Sequence, residues 1–308
     1  MTYVFLITGF LGAGKTTFLK DRLSSTKLRT GVLVNDFGKV NFDSMEIKKD
    51  SLEIVELSNG SIFCSCLKDY FIDGLVHLIQ LGLDEIYIES SGLADPSDMN
   101  KVLSVVRLKA VNIQFSFGGT ICLVDGLFFP KVLPKMLSVE RQVRHSHLII
   151  INKCDLINLE QLEKVKKTLT ELNPRAQIIE TSYGKFDWQS HKIDVFDIVD
   201  EVTTNKVETR NKNLILHILS EPDPEVFRAF LNSISNYFFR IKGFIHMDSQ
   251  LHKVDLVNLQ IQIEPSPGLF DNPGIDQLAC LTSQGLDSIS QLAKMADKYL
   301  PGIFRLEM

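Results

Sequence analysis

The chain has 308 residues, a net charge of −5 and an isoelectric point near 5.8, a length that accommodates two domains of ordinary size. At 44% hydrophobic and 23% charged residues it is composed as a globular protein, with no apolar run of membrane-spanning length. No Lys or Arg run suits a nucleic-acid surface, Lys164-Val165-Lys166-Lys167 reading as the solvated face of a helix, and the five cysteines lack a disulfide framework, as expected of a reducing cytoplasm.

In chain order, residues 3–8 form a nearly all-apolar run that predicts a buried parallel strand, and not a signal peptide, because it lacks a basic leader. The run leads into Gly9-Phe10-Leu11-Gly12-Ala13-Gly14-Lys15-Thr16, which fits the G-x-x-x-x-G-K-[ST] phosphate loop at every fixed position, and then into a helix from Thr16 to Leu23. Glycines let backbone N–H groups turn inward around phosphate oxygens, and the helix N-terminus adds positive partial charge. Gly12, Ala13, Gly14, Lys15, Thr16 and Thr17 are therefore the expected phosphate-binding set. Lys15 is expected to reach the β- and γ-phosphates, and the Thr16 hydroxyl to ligate Mg2+.

Residues 30–36 read as a second strand whose polar end, Asp36, lies where a phosphate-bound Mg2+ can be sensed; a plain turn aspartate is the alternative. A half-covered strand over 52–57 precedes the Asn59-Gly60 turn, Cys64 and Cys66. Two thiols spaced by two face the same way in extended chain and can offer a metal two soft ligands; packing as buried free thiols is the alternative. A helix over 69–81 and a strand over 84–89 follow. Glu89 at the strand tip can bind Mg2+ directly or through water, and the Gly92 N–H can contact the γ-phosphate and sense its loss. Pro96 opens the next helix.

A strand over 119–125, with Cys122 in the core, and a helix over 139–145 precede the buried strand that ends in Asn152-Lys153-Cys154-Asp155. This is the pattern N-K-x-D. A buried Asp155 carboxylate accepts from guanine N1–H and the 2-amino group together, donors that adenine lacks, while Asn152 and the Lys153 stem support the ring. An amphipathic helix over 159–172, a strand over 176–182 and a short helix over 194–199 complete this part. Residues 203–213 read as a linker. Beyond it come a strand at 214–219, a helix at 225–234, paired strands at 237–245 and 254–263, a strand at 277–282 and a helix at 287–299.

Together these motifs resemble the CobW-like P-loop GTPases, a metal-handling family. Residues 8–17 are similar to its phosphate loop, Val34-Asn35-Asp36-Phe37-Gly38 to its first switch, and Glu56-Leu57-Ser58-Asn59-Gly60 to the lead-in to its metal motif. Glu89-Ser90-Ser91-Gly92-Leu93-Ala94-Asp95-Pro96 resembles its second switch, Asn152-Lys153-Cys154-Asp155-Leu156 its base motif, and Phe239-Arg240-Ile241-Lys242-Gly243 a signature of its C-terminal domain. The chain departs from the pattern in carrying Asp36 where Glu is usual. The family's C-x-C-C motif falls on residues 61–64, where only Cys64 remains, with Cys66 added two residues on, and the frequent histidine-rich segment is missing.

The expected fold is α/β, a P-loop NTPase parallel sheet with helices on both faces over residues 1–204, plus a smaller C-terminal α+β domain over 212–308. The resemblance implies a GTP-hydrolysing metallochaperone or metal-cofactor assembly factor; the sparse cysteines make it cytoplasmic, and hydrolysis is expected to be slow because no glutamine stands out to orient water. GTP-Mg2+ would gate capture and release of a transition metal, zinc or cobalt, at Cys64 and Cys66. Lys15, Glu89 and Asp36 form the expected catalytic set. Gly92, Asn152, Lys153 and Asp155 complete the nucleotide contacts. A client metalloenzyme or assembly protein is the expected partner, with a homodimer as a further expectation and neither nucleic acid nor membrane involved. The competing reading is a metal-free GTP switch that docks on a client enzyme.

Overall fold

The structure is a computed structural model describing residues 1–35, 53–57, 68–111, 113–185, 188, 192–198, 201, 203–204, 212–257, 259–266, 276–282 and 286–307. These fall into two compact units, one within residues 1–207 and the other within 208–308.

In the first unit the strands are β1 (Thr2–Thr8), β2 (Thr30–Asn35), β3 (Glu53–Leu57), β4 (Glu85–Glu89), β5 (Phe115–Asp125), β6 (Leu148–Asn152) and β7 (Gln177–Glu180). They form one seven-stranded sheet in the order β3-β2-β4-β1-β5-β6-β7, and every pairing is parallel. β1, β4 and β6 are buried along almost their whole length, as a sheet covered on both faces requires.

The helices are α1 (Lys15–Ser25), α2 (Lys68–Gln80), α3 (Met99–Lys109), a short α4 (Phe129–Val132), α5 (Leu137–Arg144) and α6 (Leu159–Leu172). Alternation along the strands sorts them onto two faces. Val4, Leu6, Ile86 and Ile88 pack under α2 and α3, and on the same face Cys122, Val124, Ile149 and Ile151 pack under α5 and α6. Phe5, Ile7, Val32, Tyr87, Ile121 and Leu123 face the other way, against Phe18, Leu19 and Leu23 of α1 and against Trp188 and Ile193.

Two expectations for this unit need correcting. Residues 192–198 form no helix. Ile193 packs instead on the α1 face and the Phe196 carbonyl lies 2.9 Å from His147 Nε2, so tertiary contacts hold this stretch open. β5 begins four residues before the expected Gly119 because Gly118 and Gly119 lie within the strand and do not end it. A Cβ at Gly118 would fall 2.3 Å from the Phe5 ring, and the β1–β5 register shifts at Val4/Phe5.

In the second unit a six-stranded sheet runs in the order β11-β10-β9-β12-β8-β13, with every pairing antiparallel. Its strands are β8 (Lys212–Ile218), β9 (Arg240–Met247), β10 (Gln250–Val257), β11 (Gln260–Pro265), β12 (Gln277–Thr282) and β13 (Phe304–Glu307). Helices α7 (Pro224–Ile234) and α8 (Leu286–Tyr299) supply Phe227, Phe230, Leu231, Ile234, Leu292 and Ala296 to a core shared with Leu214, Leu216, Ile241, Ile245, Val254 and Leu278. Asp223 caps α7, accepting from the N–H groups of Glu225 and Val226 at 3.0 Å each, and Pro224 takes the first helical position. The single strand expected over 254–263 is two, folded back as a hairpin beside Leu259, which adopts a left-handed φ of 64°. β13 carried too short a signal to be expected from its residues.

Candidate nucleotide site

The carboxyl ends of β1, β4, β5 and β6 bring together most of the residues that the motifs single out. Gly9, Gly12 and Gly14 have φ of 134°, 74° and 100°, a region that L side chains rarely enter. Space is as limiting as torsion. A Cβ on Gly9 would lie 2.2 Å from the Leu123 carbonyl oxygen, and one on Gly14 would lie 2.3 Å from Asn152 Nδ2. Gly14 also caps α1 with no side-chain hydrogen bond, and the first turn carries no acidic residue, so the helix N-terminus remains electropositive.

Lys15 is buried at 8% exposure, and its ammonium donates to the carbonyls of Gly9 (2.8 Å) and Phe10 (3.2 Å). Thr16 is half-buried and its Oγ1 donates to Glu89 Oε1 at 2.8 Å, so the phosphate-loop hydroxyl and the β4 carboxylate share one point in space. Thr17 is exposed on α1. Gly92 lies against the phosphate loop: a Cβ there would be 2.8 Å from the Leu11 nitrogen.

Asn152, 2% exposed, is the knot of the site. Its Nδ2 donates to the Ala13 carbonyl and its Oδ1 accepts from Gly184 N–H, both at 2.9 Å. One side chain thus ties the phosphate loop, β6 and the loop after β7. Lys153 follows in the left-handed region at φ 63°, and its ammonium is 2.7 Å from Asp125 Oδ2. Asp125, only 5% exposed, also accepts from Leu127 and Phe128 N–H at 3.0 Å each. The Asp155 N–H donates to Ser182 Oγ at 3.2 Å, and the residue itself is exposed, not buried as the base-reading argument assumed. Asp36, Cys64 and Cys66 lie outside the described residues.

Sequence reasoning missed three supports of this site. Arg22 of α1 donates to Glu85 Oε2 (2.6 Å) and to the Tyr87 hydroxyl (2.7 Å), and Tyr87 donates to the same carboxylate (2.9 Å), bolting the phosphate-loop helix to β4. Burial and the neighbouring Glu85 charge drive the Tyr87 hydroxyl far above its ordinary pKa, so it stays a donor. Gln142 of α5 donates to the carbonyls of Gly92 (3.1 Å) and Ala94 (2.9 Å). Asp95, fully buried, accepts from Ser97 N–H (3.0 Å) and the Ser97 hydroxyl, and from Thr204 N–H (2.7 Å) and Oγ1 (2.8 Å). Asp125 was visible only as a strand end and Asp95 only as part of the switch-like stretch 89–96, and Gln142 gave no local signal.

This fold and this loop define a P-loop nucleotide-binding domain. Residues 3–180 match the model of the CobW/HypB/UreG nucleotide-binding domain, and the chain belongs to that family. It is 32% identical over 216 residues to the zinc-regulated GTPase metalloprotein activator 1 of Schizosaccharomyces pombe, covering 66% of this chain and 51% of that protein. It is 30% identical over 190 residues to the zinc chaperone YjiA of Escherichia coli, covering 60% of this chain and 58% of that protein. The chain thus spans about half the length of the curated relatives it matches. The crystal structure of zinc-bound YjiA GTPase aligns with 96% of this chain and 98% of its own at 20% identity and a TM-score of 0.48.

Proposed function

We propose that the chain binds GTP with Mg2+, hydrolyses it slowly, and uses the cycle to take up and release zinc on behalf of a client metalloenzyme. The observation that carries the nucleotide part is Asn152. By holding Ala13 and Gly184 at once, it puts the N-K-x-D motif beside the phosphate loop, where one nucleotide can reach both. The zinc part is supported by the names of the relatives, a zinc-regulated GTPase metalloprotein activator and a zinc chaperone.

In this reading Gly12, Ala13, Gly14 and Thr17 line the phosphates through their backbone N–H groups. Lys15 exchanges the loop carbonyls for phosphate oxygens. The Thr16 hydroxyl beside the Glu89 carboxylate is an all-oxygen pair of the kind Mg2+ takes, and it fits that ion. Bound there, the ion would neutralise phosphate charge. Gly92 is the proposed γ-phosphate contact, and Asp36, outside the described residues, is the proposed sensor of the metal. Asp155, exposed and held by Ser182 through its N–H, is poised to accept from guanine as the base covers it. Hydrolysis is slow in this reading because no glutamine stands out among the motifs to orient the attacking water, and a partner would complete the site. Cys64 and Cys66 are the proposed thiolate ligands for zinc, with cobalt as an alternative cargo.

The test is a titration of zinc into the full chain with GTP-Mg2+, with GDP-Mg2+, and after Cys64→Ser and Cys66→Ser together. Stoichiometric binding that is tighter with GTP and lost in the double variant is expected. Binding that survives the double substitution, or none in any state, would replace the carrier with a metal-free switch.

A further inference from the structure

The loop after β4, residues 90–98, is not a free surface loop. Ser90, Ser91, Leu93, Ala94, Asp95, Ser97 and Asp98 are all buried, and Gly92 packs on Leu11 of the phosphate loop. A buried loop responds to a ligand only as far as the groups that clamp it allow. One side chain clamps the part of the loop that carries Gly92. Gln142, 1% exposed, spends its Nε2 on the Gly92 and Ala94 carbonyls, at 3.1 and 2.9 Å. Its Oε1 is buried with no hydrogen-bond partner among the described residues. Two carbonyl partners fix which end of the amide faces the loop, since only the NH2 end donates.

The helix that carries Gln142 is itself anchored. The Ser146 hydroxyl donates to the Gln142 carbonyl at 2.6 Å, and the Asn173 amide donates to the carbonyls of Val143 (2.8 Å), Arg144 (3.2 Å) and Ser146 (2.8 Å). The amide therefore projects from a rigid base onto the Gly92 and Ala94 carbonyls, which lie just after the Gly92 N–H in the chain. A buried acceptor left unpaired is costly, and the two hydrogen bonds made by the other half of the amide offset that cost.

We propose that Gln142 is a positioning residue that holds the Gly92 peptide in register with Leu11 for the γ-phosphate, and so sets the preference for triphosphate over diphosphate. This rests on the nucleotide reading above. Gln142 is held off the ligand by the loop it clamps and takes no part in the chemistry. Its effect falls on the γ-phosphate, because Gly92 is the loop residue assigned to that group and GDP lacks it.

The test is Gln142→Met, which keeps length and apolar bulk but removes both donors. The expected result is GDP affinity within about twofold of the unmodified chain and affinity for a non-hydrolysable GTP analogue lower by about tenfold. Equal weakening of both nucleotides marks a merely structural residue and overturns the proposal, as does no change in either. A measurement that needs no variant stands beside it. Amide hydrogen exchange of the unmodified chain should change at residues 92–94 and along α5 together when GDP is replaced by the analogue; change in the loop with none in α5 also overturns it. If the unmodified chain binds neither nucleotide, the nucleotide reading itself has failed, and that outcome is visible before any variant is made.

Discussion

At the scale of single residues, this site is decided by atoms that leave no room. Gly14 shows how tightly: its φ of 100° and the 2.3 Å from a would-be Cβ to Asn152 Nδ2 forbid even a methyl group. Gly14→Ala should displace the Asn152 amide from Ala13 and abolish nucleotide binding, which fluorescence titration with a labelled GTP would reveal; retained affinity would show that Asn152 is not the knot. Asp155 works by complementarity. Asp155→Asn exchanges a pure acceptor for a mixed donor and acceptor, so GTP should weaken by about 1.5–3 kcal/mol while a xanthine nucleotide gains. Unchanged GTP affinity in competition binding would remove Asp155 from the base site. Glu89→Gln should keep GTP binding and slow turnover, because it retains an oxygen for Thr16 but loses the charge. A normal rate of phosphate release would contradict that role.

Elements are joined here by buried polar groups as well as by apolar packing. The Arg22–Glu85 pair, with side chains 8% and 9% exposed, links α1 to β4 under the Trp188 ring, which lies 5.1 Å from the guanidinium. Removing one partner strands the other charge out of water. Arg22→Ala should therefore cost about 3–5 kcal/mol in urea denaturation, whereas replacing Arg22 and Glu85 together by apolar residues should cost much less. Equal losses would mean the charge itself is of no account. At the start of β6, His147 Nδ1 accepts from the Thr120 N–H at 2.9 Å, so the neutral ring donates its Nε2–H to Phe196 O. Burial, with some help from Arg175, lowers its pKa below the ordinary 6.5, against the opposing pull of the Phe196 carbonyl and Asp194. The unfolded chain then binds the proton more readily than the folded one. The stability this contributes is whole above pH 6.5 and is lost as pH falls through the lowered folded value. Denaturation midpoints measured from pH 8 to pH 5 should carry this slope, and a His147→Leu variant should lack it.

On the scale of the molecule, each unit has a core of its own. The clusters built on α1, α2, α3, α5 and α6 share no residue with the one built on α7, α8 and the antiparallel sheet. Residues 208–308 expressed alone are expected to unfold cooperatively, with a single transition by circular dichroism on heating. A gradual, non-cooperative loss of signal would show that this core is incomplete without the rest of the chain. Among the described residues no helix is long and apolar enough to cross a membrane.

What the sequence by itself determined was everything with a short period or a fixed local spacing. The phosphate loop, the apolar strands β1, β4 and β6, the amphipathic α6 and the N-K-x-D tip are all legible because their chemistry is set by neighbours a few residues apart. The boundary errors were local as well: Gly118-Gly119 resembles a break until Phe5 occupies the space above it, and residues 254–263 resemble one strand until Leu259 turns left-handed. Only the tertiary structure decided which distant groups converge. Gln142 on Gly92, Thr204 on Asp95, Lys153 on Asp125 and Arg22 on Glu85 join residues 28 to 109 positions apart. Such pairs carry no periodic signal, because a buried donor is matched to its acceptor by position in space and not by distance along the chain.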